Sequence, residues 1–375
     1  MGVVQRHGLN FPSAYKWGVV TMGHTRMRAC PGTQAFSHLD PGSETRWIGP
    51  TGGELNVAIN FADSAGERST HLTALVTGDP LSGLVKRGFG AMGVDTSFAK
   101  VFAHKPRGPL YGIVFSPLGK GAESPEVAYH VAGEAAALLG PDDFDFKDIF
   151  FGGAVFAHSG GIFLTVGDKT PASVLKFYDE AGKCGINRSF DANFRAKLWA
   201  DIGGKARAQE VCRQIAANVE ILEGNRSDMA DALGLEAPYT SEKGSDPVCP
   251  KPHMRMIEAA VEAFPNLRIV LTNLRHEYDA NHHRWRVLAW INGNFYHSPT
   301  LELNNVLDRV GGGDATTSYL LLGLMKGMEP QDAVNLAFAA GALKTATVGD
   351  TLKVGYEKVL AFARKAGGAA GEISR

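Results

Sequence analysis

Three consecutive glycines closed by an acid, Gly311-Gly312-Gly313-Asp314, stand directly before a helix-period run over Ala315–Lys326. Glycine lets successive backbone N–H groups turn toward one point, and at a helix start those groups and the helix dipole make an anion site suited to phosphate. An aspartate in the same turn would lie beside that anion, placed to accept a proton from an attacking alcohol, which is what phosphoryl transfer to a hydroxyl requires. The same four residues also read as an N-cap aspartate after a flexible loop. A second glycine turn, Thr51-Gly52-Gly53-Glu54, opens a helix pattern carrying Asn56. Its polar groups are uncharged or acidic, so it suits a hydroxyl-rich ligand, and Asn56 can donate and accept at once; the amide could equally close a helix N-terminus. Asp191, Asn193 and Arg195 alternate at period two after a strand pattern. An extended backbone would aim all three to one side of the sheet's edge, where open α/β sheets bind ligands. Arg195 matches a planar carboxylate through two parallel hydrogen bonds, or it locks a loop by pairing with Asp191.

The elements needed to carry these groups follow from hydrophobic pattern. Apolar runs at Trp17–Met22, Leu72–Thr77, Ile149–Ala157, Ile186–Asp191, Val219–Leu222 and Arg268–Thr272 read as buried strands. Between them, Leu55, Ala58, Ile59 and Ala62 share a helical face, and Met254–Phe264 reads as a helix ending before Pro265. Strands alternating with helices imply right-handed crossovers and a mainly parallel sheet covered on both faces. Two stretches break the alternation: Met27–Ile48, and Leu110–Phe115 followed by Glu126–Val131. A small accessory sheet fits both. Trp285–Ile291 and Asn294–Ser298 flank Asn292-Gly293, the dipeptide of a type I′ hairpin turn.

Composition narrows the partners. The 375 residues carry 38 Lys+Arg against 39 Asp+Glu, a formal net charge of −1, so no overall field draws the chain to nucleic acid or anionic lipid. With 44% hydrophobic and 21% charged residues, the chain has the balance of a globular protein with a sizeable core. Its apolar runs fall well short of the ~20 residues that cross a bilayer, and the N-terminus lacks a signal-peptide core, so the expected location is cytoplasmic. Met1-Gly2 does not open a myristoylation motif, because Arg6 stands where Ser or Thr is needed. Cys30, Cys184, Cys212 and Cys249 lie far apart, without the spacing of a zinc knuckle or a dithiol redox pair. His276, His282 and His283 likewise lack matching carboxylate or cysteine spacing for a metal.

Taken in order, Trp17–Gly32, Gly52-Gly53-Glu54-Leu55-Asn56-Val57-Ala58, Gly93-Val94-Asp95-Thr96-Ser97, Asp191-Ala192-Asn193-Phe194-Arg195 with Leu198-Trp199, Gly224-Asn225, and Asp308-Arg309-Val310-Gly311-Gly312-Gly313-Asp314 resemble the ribokinase-like (PfkB) carbohydrate kinases. The Asp-x-Asn-x-Arg stretch and the Asp-Arg-Val-Gly-Gly-Gly-Asp form look like the 2-keto-3-deoxygluconate kinase branch. The likeness runs from about residue 17 to residue 355. It implies a three-layer αβα sandwich with a mainly parallel central sheet and a small β-sheet lid, within a kinase domain over 17–366, lid strands at about 24–50 and 107–132, an N-terminal extension over 1–16 and a flexible tail over 367–375.

The resemblance also implies roles. Asp314 would be the catalytic base, and Gly311, Gly312 and Gly313 the anion hole. Gly53, Asn56, Tyr111 and Arg195 would face a sugar or sugar acid, 2-keto-3-deoxygluconate first among them. Asn225, Asn273, Arg275, Gly341 and Lys344 would contact ATP, and Asp228 would organise Mg²⁺ through water, with a monovalent cation as a further cofactor. The lid would pair with a second subunit. Four places depart from the pattern: His24 where a glutamate is usual, Val131 where the lid carries an arginine, Asp228 where the Asn-x-x-Glu element has a glutamate, and Thr316-Thr317-Ser318 after the catalytic aspartate. These departures keep open a kinase for another sugar, such as fructose or ribose, and a sugar-binding sensor that has lost transfer.

Overall fold

A computed structural model describes residues 2–34, 38–78, 80–123, 125–235 and 246–367. The tail expected over 367–375 lies outside them apart from Gly367, which ends the helix Tyr356–Gly367. The centre is a nine-stranded sheet. In spatial order it runs Asn294–His297, His282–Ile291, Ile269–Glu277, Ile221–Glu223, Asn187–Asp191, Ala154–Gly160, Trp17–Met22 and Ser69–Leu72, with Leu301–Asn304 also paired to His282–Ile291. The six strands from Ile269–Glu277 to Ser69–Leu72 are parallel, and the hairpin strands added beyond them are antiparallel. Trp17–Met22 and Ala154–Gly160 are buried at every residue, as strands covered by helices on both faces must be. One core lies under Gly53–Ile59, Thr170–Lys183 and Gly204–Ala216; the other is built with Gly312–Met325 and Pro330–Lys344.

The lid is a separate four-stranded sheet in the order Ala128–His130, Gly112–Phe115, Arg26–Cys30, Arg46–Thr51. The first 16 residues include a hairpin, Val3–Arg6 with Leu9–Pro12, whose Leu9 and Phe11 are buried. Asn292 and Gly293 both take positive φ, 45° and 98°, as a type I′ turn demands.

Three expected elements differ. The run Leu72–Thr77 is divided between two sheets: Ser69–Leu72 joins the central one, while Ala74–Thr77 pairs with Lys100–Ala103. The strand expected over Ile149–Ala157 starts only at Ala154, because Asp145 caps a helical turn at Phe146–Ile149 and accepts from the amides of Lys147 and Asp148. The alternation through Asp191, Asn193 and Arg195 stops at Asp191, where Oδ1 accepts the Asn193 amide at 3.0 Å and Asn193 turns to φ 31°. A turn, not an extended segment, brings the three side chains to the sheet's edge.

Gly341 sits in Pro330–Lys344 beneath the glycine turn. A Cβ there would stand 2.7 Å from Trp285 Cζ2 and collide with the Thr316 hydroxyl. Gly341→Val is therefore expected to lower unfolding stability by about 1–3 kcal/mol through overpacking, as measured by urea denaturation.

Candidate active site

One cleft of about 830 Å³ opens where the lid faces the carboxyl ends of the parallel strands. That volume is within the range of small-molecule sites. Its walls include Gly53 and Asn56, Asp191 to Arg195, Glu223 to Asp228, Asn273 to Glu277, and Arg309 to Asp314. Gly311 caps the helix Gly312–Met325 in the left-handed region, φ 80°, and the backbone carbonyl of Asp350 is packed so closely against it that no side chain could be carried there. Gly311, Gly313 and Asp314 consequently lie at the cleft wall, and no side chain caps the helix start, although the Gly312 amide reaches the Arg309 carbonyl at 3.4 Å.

Two helix starts meet at Asp314. Asn56 Nδ2 donates to Asp314 Oδ2 at 2.6 Å, and a Cβ on Gly53 would lie 3.6 Å from Asp314 Oδ1 and 3.7 Å from Asn193 Nδ2. Burial pushes the Asp314 carboxyl up to about 7; the Asn56 hydrogen bond opposes this and the charge of Asp350 adds to it. Asn56 Oδ1 is buried with no partner among the described residues and lines the same cleft.

Carboxyls crowd the strand ends. Asp191 and Glu223 are register partners on adjacent parallel strands. Burial raises both well above the ordinary range, the charges of Asp228 and Asp314 adding to the effect on Asp191 and that of Asp191 to the effect on Glu223. Glu54, buried beneath the Gly52-Gly53 turn, is pushed up to about 8, first by burial and then by the charges of Asp314 and Asp191. Asp228 is committed to structure: its carboxylate accepts from the amides of Phe194 (2.9 Å) and Asn225 (2.8 Å), while Asn225 Oδ1 accepts the Asp228 amide in return. This reciprocal capping box starts the helix Arg226–Leu233 and ties it to the Asp191–Arg195 turn.

The other expected site residues divide by position. Asn273 flanks the glycine turn, its Nδ2 3.7 Å from where a Gly313 Cβ would be, with Glu223 Oε1 on the same side at 3.9 Å. Arg275 pairs with Glu277 at 2.7 Å, and Glu277 also receives Arg309 at 2.8 Å, so the rim carries two arginines on one acid. Arg195 is exposed at the cleft, with Nη1 donating to the Phe194 carbonyl at 2.9 Å. Three residues do not face the cleft. Tyr111 is 3% exposed, its hydroxyl exchanging hydrogen bonds with the Val76 amide and carbonyl. Gly341 is packed inside, and the buried Lys344 ammonium donates to the carbonyls of Asp308 (2.9 Å) and Thr347 (3.3 Å). A helix-end lysine naturally binds nearby carbonyls, so Lys344 acts on the loop, not on the cleft.

At the departures from the family pattern, His24 lines the cleft, kept neutral first by burial and then by the charges of Arg26 and His71, with its Nδ1 3.7 Å from Glu54 Oε2. Val131 and Arg26 both approach Gly112 from the lid. Arg26 lines the cleft and is paired with Glu134 through bonds of 2.8 and 2.6 Å. Arg26, Arg28, Glu223 and Asp350 are cleft residues that pattern reading passed over. Their only local signal is a charge within an otherwise apolar strand or beside a glycine.

No family model matches the chain. It is 28% identical over 299 residues to the 2-dehydro-3-deoxygluconokinase of Thermoproteus tenax, covering 80% of each chain. It is 25% identical over 344 residues to the 2-dehydro-3-deoxygalactonokinase of Haloferax volcanii, covering 91% of this chain and 95% of that one. The fold matches the crystal structure of the Thermotoga maritima 2-dehydro-3-deoxygluconokinase with a TM-score of 0.82 at 26% identity, over 92% of this chain and 99% of that one. The architecture is ribokinase-like. The resemblance to PfkB-family carbohydrate kinases close to the 2-keto-3-deoxygluconate (2-dehydro-3-deoxygluconate) kinases is borne out by sequence and structure alike.

The buried acids set a stability trend. Above about pH 7.5, histidines are largely neutral in both folded and unfolded chains. Glu54, at about 8 against 4.5 unfolded, still holds a proton that the unfolded chain has released. The folded state then binds more protons, so stability falls as pH rises through the folded value, by up to about 1.4 kcal/mol per pH unit for each such proton. Thermal melts of the ligand-free protein are expected to shift downward from about pH 7.5 to 8.5, and Glu54→Gln is expected to flatten that shift.

Proposed function

We propose that this protein is an ATP-dependent carbohydrate kinase that phosphorylates a primary hydroxyl of a sugar acid, with 2-keto-3-deoxygluconate as acceptor. The observation that carries the reading is the meeting of two helix starts on Asp314: one of uncapped amides after three glycines, the other bringing Asn56 within 2.6 Å of the same carboxylate. The first suits a phosphoryl group and the second a hydroxyl-bearing ligand. The relatives named as kinases of 2-dehydro-3-deoxy sugar acids support the substrate class.

In this reading Asp314 accepts the proton of the attacking hydroxyl, and its carboxyl near 7 is matched to that task at neutral pH. The amides of the Gly311–Gly313 turn meet the charge on the transferred group, a fixed arrangement that needs no reorganisation during reaction. Asn56 and Gly53 orient the sugar, while Arg195 takes its carboxylate. Asn225, Asn273 and Arg275 stand on the nucleotide side. Mg²⁺, when bound with ATP, neutralises phosphate charge. No described set of three or more His, Cys, Asp or Glu is arranged to grip a metal directly. Asp191 and Glu223 at the cleft are oxygen donors that fit an ion keeping its waters and taking its remaining ligands from phosphate, and Asp228, held by two backbone amides, would act on it only through water. A solved ribokinase-like structure with ATP and Mg²⁺ shares the fold at a TM-score of 0.73. The lid carries an exposed Trp47 on its edge strand and an exposed Leu110, a surface suited to a second copy of the chain. No described helix is long and apolar enough to cross a membrane.

Asp314→Asn is expected to lower kcat by about 10²–10⁴-fold while sugar binding by calorimetry persists. The wild-type kcat/KM should rise with pH through about 7 as Asp314 loses its proton. A variant that keeps full turnover sinks the assignment of the base. Arg195→Lys should raise KM about tenfold or more for keto sugar acids and leave neutral sugars unchanged, since it removes the bidentate fork. ADP release across aldoses, ketoses and both 2-keto-3-deoxy epimers would identify the acceptor; binding without turnover throughout would instead make the protein a sensor.

A further inference from the structure

Behind the glycine turn lies a buried charge cluster that the catalytic reading does not use. Arg28, in the lid strand Arg26–Cys30, is 1% exposed. Its Nη1 donates to Asp308 Oδ2 at 2.7 Å and also to Asp350 Oδ1, and its Nη2 donates to Asp308 Oδ1 at 3.2 Å and to the Ser116 carbonyl at 3.3 Å. Asp308 is itself 1% exposed and Asp350 5%. One guanidinium thus joins three separate segments: the lid, the loop entering the glycine turn and the loop after Pro330–Lys344. The remaining lone pairs of the acids hold those loops. Asp308 accepts the amides of Val310 (3.1 Å) and Gly349 (3.0 Å), and the Thr51 hydroxyl of the neighbouring lid strand donates to Asp350. The backbone carbonyl of Asp350 packs onto Gly311, so the chain of contacts from Arg28 ends on the residue that shapes the anion hole.

Two buried carboxylates side by side require a counter-cation, and removing it would leave uncompensated charge in the interior. Burial pulls the Arg28 pKa down, but the charges of Asp350 and Asp308 outweigh that and keep it above the ordinary arginine range. Lysine could not span the site, because a single ammonium lacks the planar fork that reaches Asp308, Asp350 and Ser116 together.

We propose that Arg28 is a positioning residue for phosphoryl transfer, its guanidinium serving as the resident counter-cation of Asp308 and Asp350, so that the anion hole is held without a free monovalent cation. The inference rests on the kinase reading for its catalytic consequence but not for its structural one, and the experiment separates the two.

Sugar-dependent ADP release by the wild-type protein is expected to be the same within about twofold when tetramethylammonium replaces K⁺ or Na⁺; stronger activation by either ion overturns the proposal. Arg28→Gln is expected to lower kcat by about tenfold or more with KM for ATP changed by less than about threefold, as for lost preorganisation and not lost ground-state binding. Millimolar guanidinium chloride should restore part of that kcat and tetramethylammonium chloride none; unchanged kcat in the variant overturns the proposal. Hydrogen exchange gives the readout that needs no turnover. Amides of residues 26–30, 308–314 and 346–352 should exchange faster together in the variant, and an unchanged 308–314 segment refutes the clamp whether or not the protein proves to be a kinase. Should Arg28→Gln fail to fold, Arg28→Lys, which keeps the charge but loses the fork, takes its place in the hydrogen-exchange measurement alone, with faster exchange over 308–314 expected and an unchanged segment refuting the clamp.

Discussion

The left-handed turn at Gly311 is the constraint on which the site depends. A positive φ of 80° and the pressure of the Asp350 carbonyl leave room for hydrogen alone at that Cα. That turn starts Gly312–Met325 at the cleft, and with it a helix start without a side-chain cap and the acid of the first helical turn. Everything around it holds the turn in place. Gly341 lets the next helix approach beneath, Lys344 holds the loop carbonyls, and Asp308 holds the loop amides.

The carboxyl edge of the sheet gathers buried acidic groups that resist ionising together. Burial is the first cause of the raised pKa values of Glu54, Asp191, Glu223 and Asp314; the charge of Asp314 adds to the first three, that of Asp191 to Glu54 and Glu223, and that of Asp350 to Asp314. Such an arrangement disfavours the empty site and favours a cation-bearing ligand, because a bound charge relieves both desolvation and repulsion. Arginines line the same cleft, Arg195, Arg226, Arg275 and Arg309, and supply positive charge for phosphate and carboxylate groups. A cleft lined by groups of both signs is suited to a nucleotide, its metal and an anionic acceptor at once.

Some of this site is legible along the chain. Gly311–Asp314, Gly52-Gly53 with Asn56, and the Asp191–Arg195 stretch each combine a local backbone requirement with a polar group a few residues away, and such local pairings survive in one dimension. The strands that carry them are legible for a similar reason, since burial on both faces leaves an unbroken apolar run. Arg28 and Asp350 carry no such signal: their meaning lies in a contact across 322 residues. Tyr111 is implied as a sugar contact by the family resemblance alone, and the fold turns its hydroxyl toward Val76.

The amino-acid order by itself determined the parallel α/β architecture, the accessory sheet, the two glycine turns and the identity of the acid between them, because hydrophobic period and glycine's backbone freedom are local properties. Tertiary structure decided which charges share the cleft, which are spent on holding loops, and how far each carboxyl departs from its ordinary pKa. Those outcomes depend on distance and on exclusion of water between segments remote in the chain, and neither quantity exists until the sheet, helices and lid have packed together.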